Sequence, residues 1–323
     1  LFEWEEIEMI AFLISIGVLA AGAVTAMLWG RRCPRWWGPV FLGGAAAAVF
    51  VDVGRVLAGA AELTQDRIWQ MPLGNLRLGL DPLSAWFALA IAFVAALSGF
   101  HASGYMEDQR ASKNLGFFWF NHLVLTASML LVVTARNGIL FLLAWEMMAL
   151  SSFFLVMFDH EKTETRKAGW IYLAATHIGT AFVLGVFAKL GQGLAALDFE
   201  NFHASGGDAG LIFLMAVVGF GTKAGFILLH VWLPEAHPAA PSPVSALLSG
   251  VTLFPNIDSG SWHRLWQYPA VAVGFGALLL ALCGGQGIVH RVFASRPLVA
   301  LGRISYGLYV YQLLALELAS RLF

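Results

Sequence analysis

The sequence predicts an all-α protein, a polytopic transmembrane bundle of about ten helical spans. Composition, long apolar runs and the distribution of positive charge support this prediction. Of the 323 residues, 59% are hydrophobic and 12% are charged, and the mean hydropathy is +0.74. Because a soluble domain carries about 25% charged residues, most of this surface is expected to face lipid. The net charge of −1 provides no basic field for binding nucleic acid.

Long apolar runs recur along the whole chain. A helix needs roughly 20 apolar residues to cross about 30 Å of hydrocarbon. Runs close to that length lie at 9–29, 38–60, 83–104, 116–135, 138–158, 168–190, 209–229, 269–289 and 304–322. A further run at 243–254 would be about 18 Å long as a helix, which is too short to span.

Positive charge alternates between the predicted loops. The first run follows an acidic segment and precedes Arg31 and Arg32, so we interpret it as a retained span and not as a cleaved signal. Lysine and arginine are concentrated at 31–35, 105–115 and 159–167, and the intervening loops hold fewer. The positive-inside rule therefore predicts that these three loops are cytoplasmic and that the N-terminus lies outside.

Ionisable residues interrupt several spans. Glu146, His177 and Lys223 each lie within an otherwise apolar run. A charged residue at that depth costs about 2.5–3.5 kcal/mol and usually marks an ion path, a pair or a cavity. A Glu146–Lys223 pair between helices would offset the cost of both charges and couple their protonation. A structural alternative is that His177 only bonds to a neighbouring helix, and Asp52 and Arg55 are expected to form a local ion pair.

A proline-rich segment follows Lys223 and predicts a broken helix near 225–245. Four prolines lie between Pro234 and Pro243, and they cannot continue a helix. Transporters place ion sites at broken helices, and His230 and His237 add groups that titrate near neutral pH. The alternative is a plain cytoplasmic loop with surface histidines. Their spacing is not that of an HExxH zinc motif, so no metal site is predicted.

Three stretches together resemble one membrane family. They are Gly79-Leu-Asp-Pro-Leu-Ser84, Trp145-Glu-Met147 with Ser151-Ser152, and the long segment from Gly221-Thr-Lys223 through His230-Val-Trp-Leu-Pro-Glu-Ala-His237 to Ser249-Gly250. They resemble the antiporter-like family, which includes large membrane subunits of respiratory complex I, Mrp sodium/proton antiporters, and hydrogenase-4 and formate hydrogenlyase subunits. The resemblance covers residues 1–251, and its details are most similar to the hydrogenase-4 type.

The resemblance implies a proton-translocating membrane subunit of a respiratory or hydrogenase-type complex. Glu146 would be the essential glutamate of the fifth helix and Lys223 the lysine of the discontinuous seventh, with His177, His230 and His237 along a hydrated path. Protons are favoured over sodium by the family type. Because the chain has no flavin, iron–sulfur or nickel ligand pattern, no cofactor is expected, and redox chemistry would belong to other membrane and peripheral subunits. The resemblance also implies a bacterial inner membrane.

The resemblance ends near residue 251. The family's eighth helix continues with a buried lysine and a second, inverted set of five helices comes after it, and neither has a counterpart here. Residues 252–323 instead resemble the end of membrane O-acyltransferases, on the stretch Ser295-Arg-Pro-Leu-Val-Ala-Leu-Gly-Arg-Ile-Ser-Tyr306 through Gln312. Gln312 stands at that family's late histidine, so a hydrophobic anchor is favoured over catalysis.

These patterns support three functional hypotheses. The first is a proton-translocating subunit that uses a buried Glu146–Lys223 pair beside a broken helix. The second is a non-conducting remnant or fusion protein, supported by the missing second set of helices. The third is a membrane O-acyltransferase, which would need a histidine base that the tail does not supply.

Overall fold

A computed structural model describes residues 9–60, 62–67, 76–194, 197–202, 208–225 and 229–252. The helices in these ranges are α1 (Ile10–Trp29), α2 (Trp37–Leu57), α3 (Pro82–Tyr105), α4 (Leu115–Thr134), α5 (Gly138–Val156), α6 (Thr163–Leu190), α7 (Ala209–Ala224), α8 (Leu233–Ala239) and α9 (Ser242–Thr252). Two short strands, β1 (Leu63–Arg67) and β2 (Leu76–Leu80), lie between α2 and α3.

Helices α1 to α6 confirm the first six predicted spans. Each is long and apolar enough to cross a membrane. Their bounds agree with the apolar runs to within a few residues, and α6 starts earlier because its first turns carry charged residues that lie outside the apolar run. Helix α7 has 16 residues and a length of about 24 Å, which is short for a span. The predicted spans at 269–289 and 304–322 lie outside the described residues, as does the tail after residue 252.

Polar side chains fix where three of these helices begin. Asp81 caps α3 by accepting a hydrogen bond of 2.6 Å from the Ser84 backbone nitrogen. Asn114 caps α4 and Asn137 caps α5 in the same way. Side-chain oxygens at this position satisfy backbone donors that the first helical turn leaves unpaired.

Buried Asp52 on α2 performs the same task for α1. Its Oδ2 accepts a hydrogen bond of 2.8 Å from the backbone nitrogen of Phe12, in the first turn of α1. Its Oδ1 lies 3.1 Å from the Arg55 guanidinium, which confirms the predicted local ion pair. The carboxylate is only 1% exposed, so both contacts compensate the loss of its hydration.

Small residues bring the helices into close contact. A Cβ added to Gly116 of α4 would lie 2.3 Å from the backbone oxygen of Ala26 on α1. A Cβ at Gly38 of α2 would lie 2.0 Å from the indole of Trp119 on α4, and one at Gly99 of α3 would lie 2.3 Å from Leu42. In membranes, where lipid is as apolar as leucine, such close packing drives helix association.

One end of the bundle holds the loops that the charge pattern assigns to the cytoplasm. Arg110 donates a 3.4 Å hydrogen bond to the Cys33 backbone oxygen, and Lys113 lies 3.2 Å from Asp159. Lys162 contacts the other oxygen of Asp159 at 2.9 Å. Burial alone would raise the pKa of Asp159, but the hydrogen bonds from Lys162 and Lys113 outweigh it and lower that pKa. The three loops at 31–35, 105–115 and 159–167 therefore meet at one end.

The opposite end is closed by the hairpin of β1 and β2, which the all-α prediction did not contain. The strands are antiparallel, and Leu63 pairs with Leu80. Arg136, just before α5, contacts Asp81 at 2.8 Å and Glu62 at 3.2 Å. Arg77 of β2 pairs with Glu200, so the hairpin is joined to the loop after α6. The bundle is thus held together by ion pairs at both ends.

Candidate functional site

The candidate site lies where α5, α6 and α7 pack together. Glu146 lies on α5, His177 on α6 and Lys223 near the end of α7. A fourth residue, Tyr172 of α6, lies one and a half turns before His177 and is fully buried. These helices are apolar around most of their circumference, so the few polar side chains can be paired only with one another or with the backbone.

Glu146 contacts His177 in this structure. Its Oε2 lies 3.4 Å from Nε2 of the imidazole, and the side chains are 31% and 47% exposed. The other carboxyl oxygen, Oε1, is buried and has no hydrogen-bond partner within the described ranges. The sequence placed both residues on the ion path but did not predict their contact.

The backbone assigns one proton of His177. Its Nδ1 lies 3.0 Å from the backbone oxygen of Leu173, and a carbonyl oxygen can only accept. Nδ1 therefore carries a hydrogen, and Nε2 faces Glu146. When the pair holds one exchangeable proton, that proton is either on the carboxyl beside a neutral imidazole or on Nε2 beside a carboxylate.

Lys223 is held by Tyr172 and not by Glu146. Its ammonium donates a 3.1 Å hydrogen bond to the tyrosine hydroxyl. It also lies over two rings, 5.5 Å from the centroid of Tyr172 and 5.8 Å from that of Trp145. No ion pair within 4.0 Å joins Glu146 and Lys223, so the predicted Glu–Lys pair is not in direct contact. The ammonium instead lies beside the residue that precedes Glu146.

A directional chain of hydrogen bonds runs from Lys223 into α5. The Tyr172 hydroxyl bonds to Oγ of Ser152, and Ser152 Oγ lies 2.6 Å from the backbone oxygen of Met148. Because that carbonyl can only accept, Ser152 donates to it, Tyr172 donates to Ser152, and Lys223 donates to Tyr172. The chain ends on a backbone group that takes up no proton. It therefore positions the ammonium, and no proton leaves through this chain of hydrogen bonds.

The predicted broken helix is confirmed after Ala224. Gly225 has φ 75° and ψ 37°, the left-handed conformation that ends helices and that glycine adopts most readily. Trp232 lies beyond the break, and its indole nitrogen donates a 2.7 Å hydrogen bond to the Thr222 backbone oxygen. That bond satisfies a carbonyl that α7 can no longer pair, as irregular backbone at membrane depth requires. The Trp232 ring also packs edge-on against Tyr172.

His230 and His237 lie beyond this break. The backbone oxygen of His230 accepts a 2.8 Å hydrogen bond from the Leu233 nitrogen, at the start of α8. The backbone oxygen of His237, on α8, accepts one of 2.8 Å from Ser245 of α9. Both histidines are partly exposed. The structure does not bring them into the contact between Glu146 and His177.

Tyr172 and Ser152 are the site residues whose roles sequence reasoning missed. Ser152 enters the prediction only as part of a motif, and Tyr172 is not among the predicted site residues. A tyrosine hydroxyl within an apolar span needs a partner, and that requirement is the signal that would have indicated it. The identity of that hydrogen-bond partner depends on which faces of the helices pack against each other.

One family model matches part of the chain. A family model described as "NADH:quinone oxidoreductase/Mrp antiporter, TM" matches residues 135–256. This range contains Glu146, Tyr172, His177 and Lys223 and extends beyond α9.

Individual relatives point in the same direction. The chain is 38% identical over 182 residues to hydrogenase-4 component B of Escherichia coli (strain K12), covering 55% of this chain and 26% of that protein. It is 30% identical over 310 residues to NADH-quinone oxidoreductase subunit L of Mycobacterium tuberculosis (strain CDC 1551 / Oshkosh), covering 87% and 48%. The chain thus spans between a quarter and a half of the length of these relatives.

A solved structure shares the fold. The Mrp complex from Dietzia sp. DQ12-45-1b matches with a TM-score of 0.62 and 24% identity, over 75% of this chain and 27% of that chain. At this identity the likeness concerns the fold alone. It agrees with the helical membrane architecture described above.

Proposed function

We propose that this chain, whose residues 135–256 carry the transmembrane domain of the NADH:quinone oxidoreductase/Mrp antiporter family, is a proton-translocating subunit of a larger membrane complex. The observation that carries the proposal is the contact between the Glu146 carboxyl and the His177 imidazole, 3.4 Å apart, in apolar helices beside a broken helix. Titratable groups in that setting are the usual components of proton relays.

The transfer step within the pair is balanced. A proton on the Glu146 carboxyl passes to Nε2 of neutral His177, which leaves a carboxylate beside an imidazolium. The Leu173 carbonyl retains the Nδ1 hydrogen throughout, so the ring keeps one orientation. Release of a proton from His177 and uptake of another by Glu146 would complete one cycle.

Lys223 is the second proton carrier in this proposal. Its ammonium lies over the ring of Trp145, the residue that precedes Glu146, and makes no direct contact with the carboxyl group. His230 and His237 come next in the broken segment and are proposed as the next stations of the path.

The exposure of the pair supports partner subunits. A carboxyl and an imidazole that are 31% and 47% exposed at mid-helix would otherwise face hydrocarbon. The relatives are named as a subunit and a component, and the chain covers less than half of each. We therefore propose that this chain lies beside other membrane subunits and a peripheral redox module. We also propose a bacterial inner membrane, and the positive charge of the loops favours an N-terminus outside.

Proton flux into vesicles tests the proposal. The purified chain is reconstituted with a pH-sensitive dye under a clamped potential and compared with Glu146→Gln and Lys223→Ala. We expect both substitutions to reduce flux to the level of protein-free vesicles. The matched controls Glu200→Gln and Lys162→Ala change exposed residues at the two ends and should conduct like the parent chain.

Two results would contradict the proposal. A parent chain that conducts no better than protein-free vesicles would show that it is not a translocator by itself, and the non-conducting hypothesis would replace it. Flux that needs sodium in the buffer, tested by replacing sodium with choline, would assign the pair to sodium exchange instead of proton transfer.

A further inference from the structure

A second buried polar site lies away from the Glu146 path, between α3 and α4. His122 of α4 is fully buried, and its Nε2 lies 3.1 Å from Oγ of Ser98 on α3. Ser98 Oγ also lies 3.1 Å from the backbone oxygen of Ala95. Both contacts are hydrogen bonds only if Ser98 donates to the carbonyl and His122 Nε2–H donates to Ser98.

This assignment leaves the other ring nitrogen as an acceptor. A neutral imidazole that carries its hydrogen on Nε2 has a bare lone pair on Nδ1. Nδ1 of His122 is buried and has no hydrogen-bond partner in the part of the chain that the structure describes. Buried polar atoms are nearly always paired with protein or with ordered water, so this one requires an explanation.

An unpaired donor lies next to it. Trp119 is one turn earlier on the same face of α4 and is fully buried, and its Nε1 also lacks a partner within the described ranges. The Trp119 and His122 ring centroids are 5.8 Å apart. Gly38 of α2 packs against Cε3 and Cζ3 of the indole. These atoms lie across the ring system from Nε1, so the edge of the indole that carries the N–H is not the one packed against Gly38.

We propose that one internal water molecule binds between Trp119 Nε1 and His122 Nδ1. The ligand must accept from an N–H and donate to a lone pair, and it must be small and neutral. A cation fails the first requirement because an indole N–H repels it. Two hydrogen bonds of about 2.9 Å allow one water to bridge nitrogens up to about 5.8 Å apart, and the two rings are neighbours on one face of α4. Water of this kind is a fixed part of many protein interiors.

X-ray hydroxyl-radical footprinting tests the site directly. Radicals formed from a bound water modify the side chains beside it, even where bulk solvent does not reach, and mass spectrometry locates the modification. We expect Trp119 to be oxidised at least several-fold faster than Trp232, which is also buried but whose Nε1 is bonded to the Thr222 oxygen. His122→Phe should reduce the Trp119 rate to that of Trp232. Equal rates in the parent chain would overturn the proposal.

The tautomer of His122 can be measured in the parent chain, and a variant is needed only to assign the signal. In the chain labelled with ¹⁵N-histidine, nitrogen chemical shifts distinguish a protonated from an unprotonated ring nitrogen, and His122→Gln identifies the signal. We expect Nε2 to carry the hydrogen and Nδ1 to have the shift of a hydrogen-bonded acceptor. A hydrogen on Nδ1 would contradict the assigned direction of the hydrogen bond, because the water would then accept from both nitrogens and donate to neither.

Discussion

The Tyr172 hydroxyl determines where the Lys223 ammonium lies. It accepts from the lysine and donates towards Ser152, and that direction is imposed by the Met148 carbonyl at the end of the chain. Removing the hydroxyl leaves Ser152 bonded to its carbonyl but deprives the ammonium of a partner. A charged group without its partner in a low-dielectric interior is costly.

Tyr172→Phe should therefore destabilise the protein by about 1.5–3 kcal/mol, the range for hydrogen bonds to charged groups. Chemical unfolding in detergent measures this. Ser128→Ala is the control, because its buried hydroxyl bonds only to a carbonyl of its own helix and should cost less. In a Lys223→Met background the cost of Tyr172→Phe should fall towards that of the control. If Tyr172→Phe destabilised the Lys223→Met protein as much as it destabilises the parent chain, Tyr172 would stabilise the protein through packing and not through its hydrogen bond to Lys223.

Among single residues, the sequence predicted which side chains belong to the candidate site. It did not predict which of those side chains contact one another. Glu146, His177 and Lys223 stand out because each interrupts an apolar run. Their partners depend on the rotation of α5, α6 and α7 about their axes. These helices are apolar nearly all round, so no periodicity reports that rotation. The contacts of Glu146 with His177 and of Lys223 with Tyr172 therefore emerge only from the packed structure.

The sequence predicted helices well where the length of an apolar run is sufficient evidence for a helix. The first six apolar runs correspond to α1–α6, because about 20 apolar residues in lipid have no alternative to a helix. The hairpin was missed since five-residue strands beside loop residues resemble a loop, although Leu76, Leu78 and Leu80 alternate as in a strand. The end of α7 was placed five residues late, because the apolar run continues past Gly225 while the helix stops there.

Close helix contact at Gly116 makes a prediction about α1 and α4. An added Cβ would lie 2.3 Å from the backbone oxygen of Ala26 and 2.5 Å from that of Gly30. Because backbone atoms cannot rotate away, Gly116→Ala should lower stability by about 1–3 kcal/mol. Gly43→Ala, on α2 with nothing within 4 Å of its Cβ, should instead raise it by up to about 1 kcal/mol. Unfolding in detergent measures both changes. If both substitutions changed the free energy of unfolding in the same direction, the close contact between α1 and α4 would be refuted.

At the scale of the whole molecule, the two ends of the bundle differ in construction. One end joins three charged loops through the contacts of Lys113 with Asp159 and of Arg110 with the Cys33 backbone oxygen. The other end joins the hairpin to α5 and to the loop after α6. The grouping agrees with the alternation of charge in the sequence. Which end faces the cytoplasm is a separate question, on which the positive-inside rule makes a prediction.

Site-specific labelling checks that orientation. In a background with Cys33 and Cys283 replaced by alanine, a cysteine is introduced at Ala111 or at Gln192, exposed positions at opposite ends. A membrane-impermeant maleimide added to intact cells should label Gln192→Cys, and should label Ala111→Cys only after permeabilisation. The reverse pattern would invert the bundle and place the N-terminus inside.

The interruption after Ala224 has a consequence for biosynthesis. Helix α7 is about 24 Å long, so it falls short of the roughly 30 Å of hydrocarbon that a translocon-released helix must cross. Its open end is sheltered by Trp232, which in turn rests on Tyr172 of α6. The segment around the break thus becomes compatible with lipid only once α6 is already in place. Membrane insertion of this part of the chain is therefore expected to be cooperative, with α6 acting as the template on which α7 and α8 assemble.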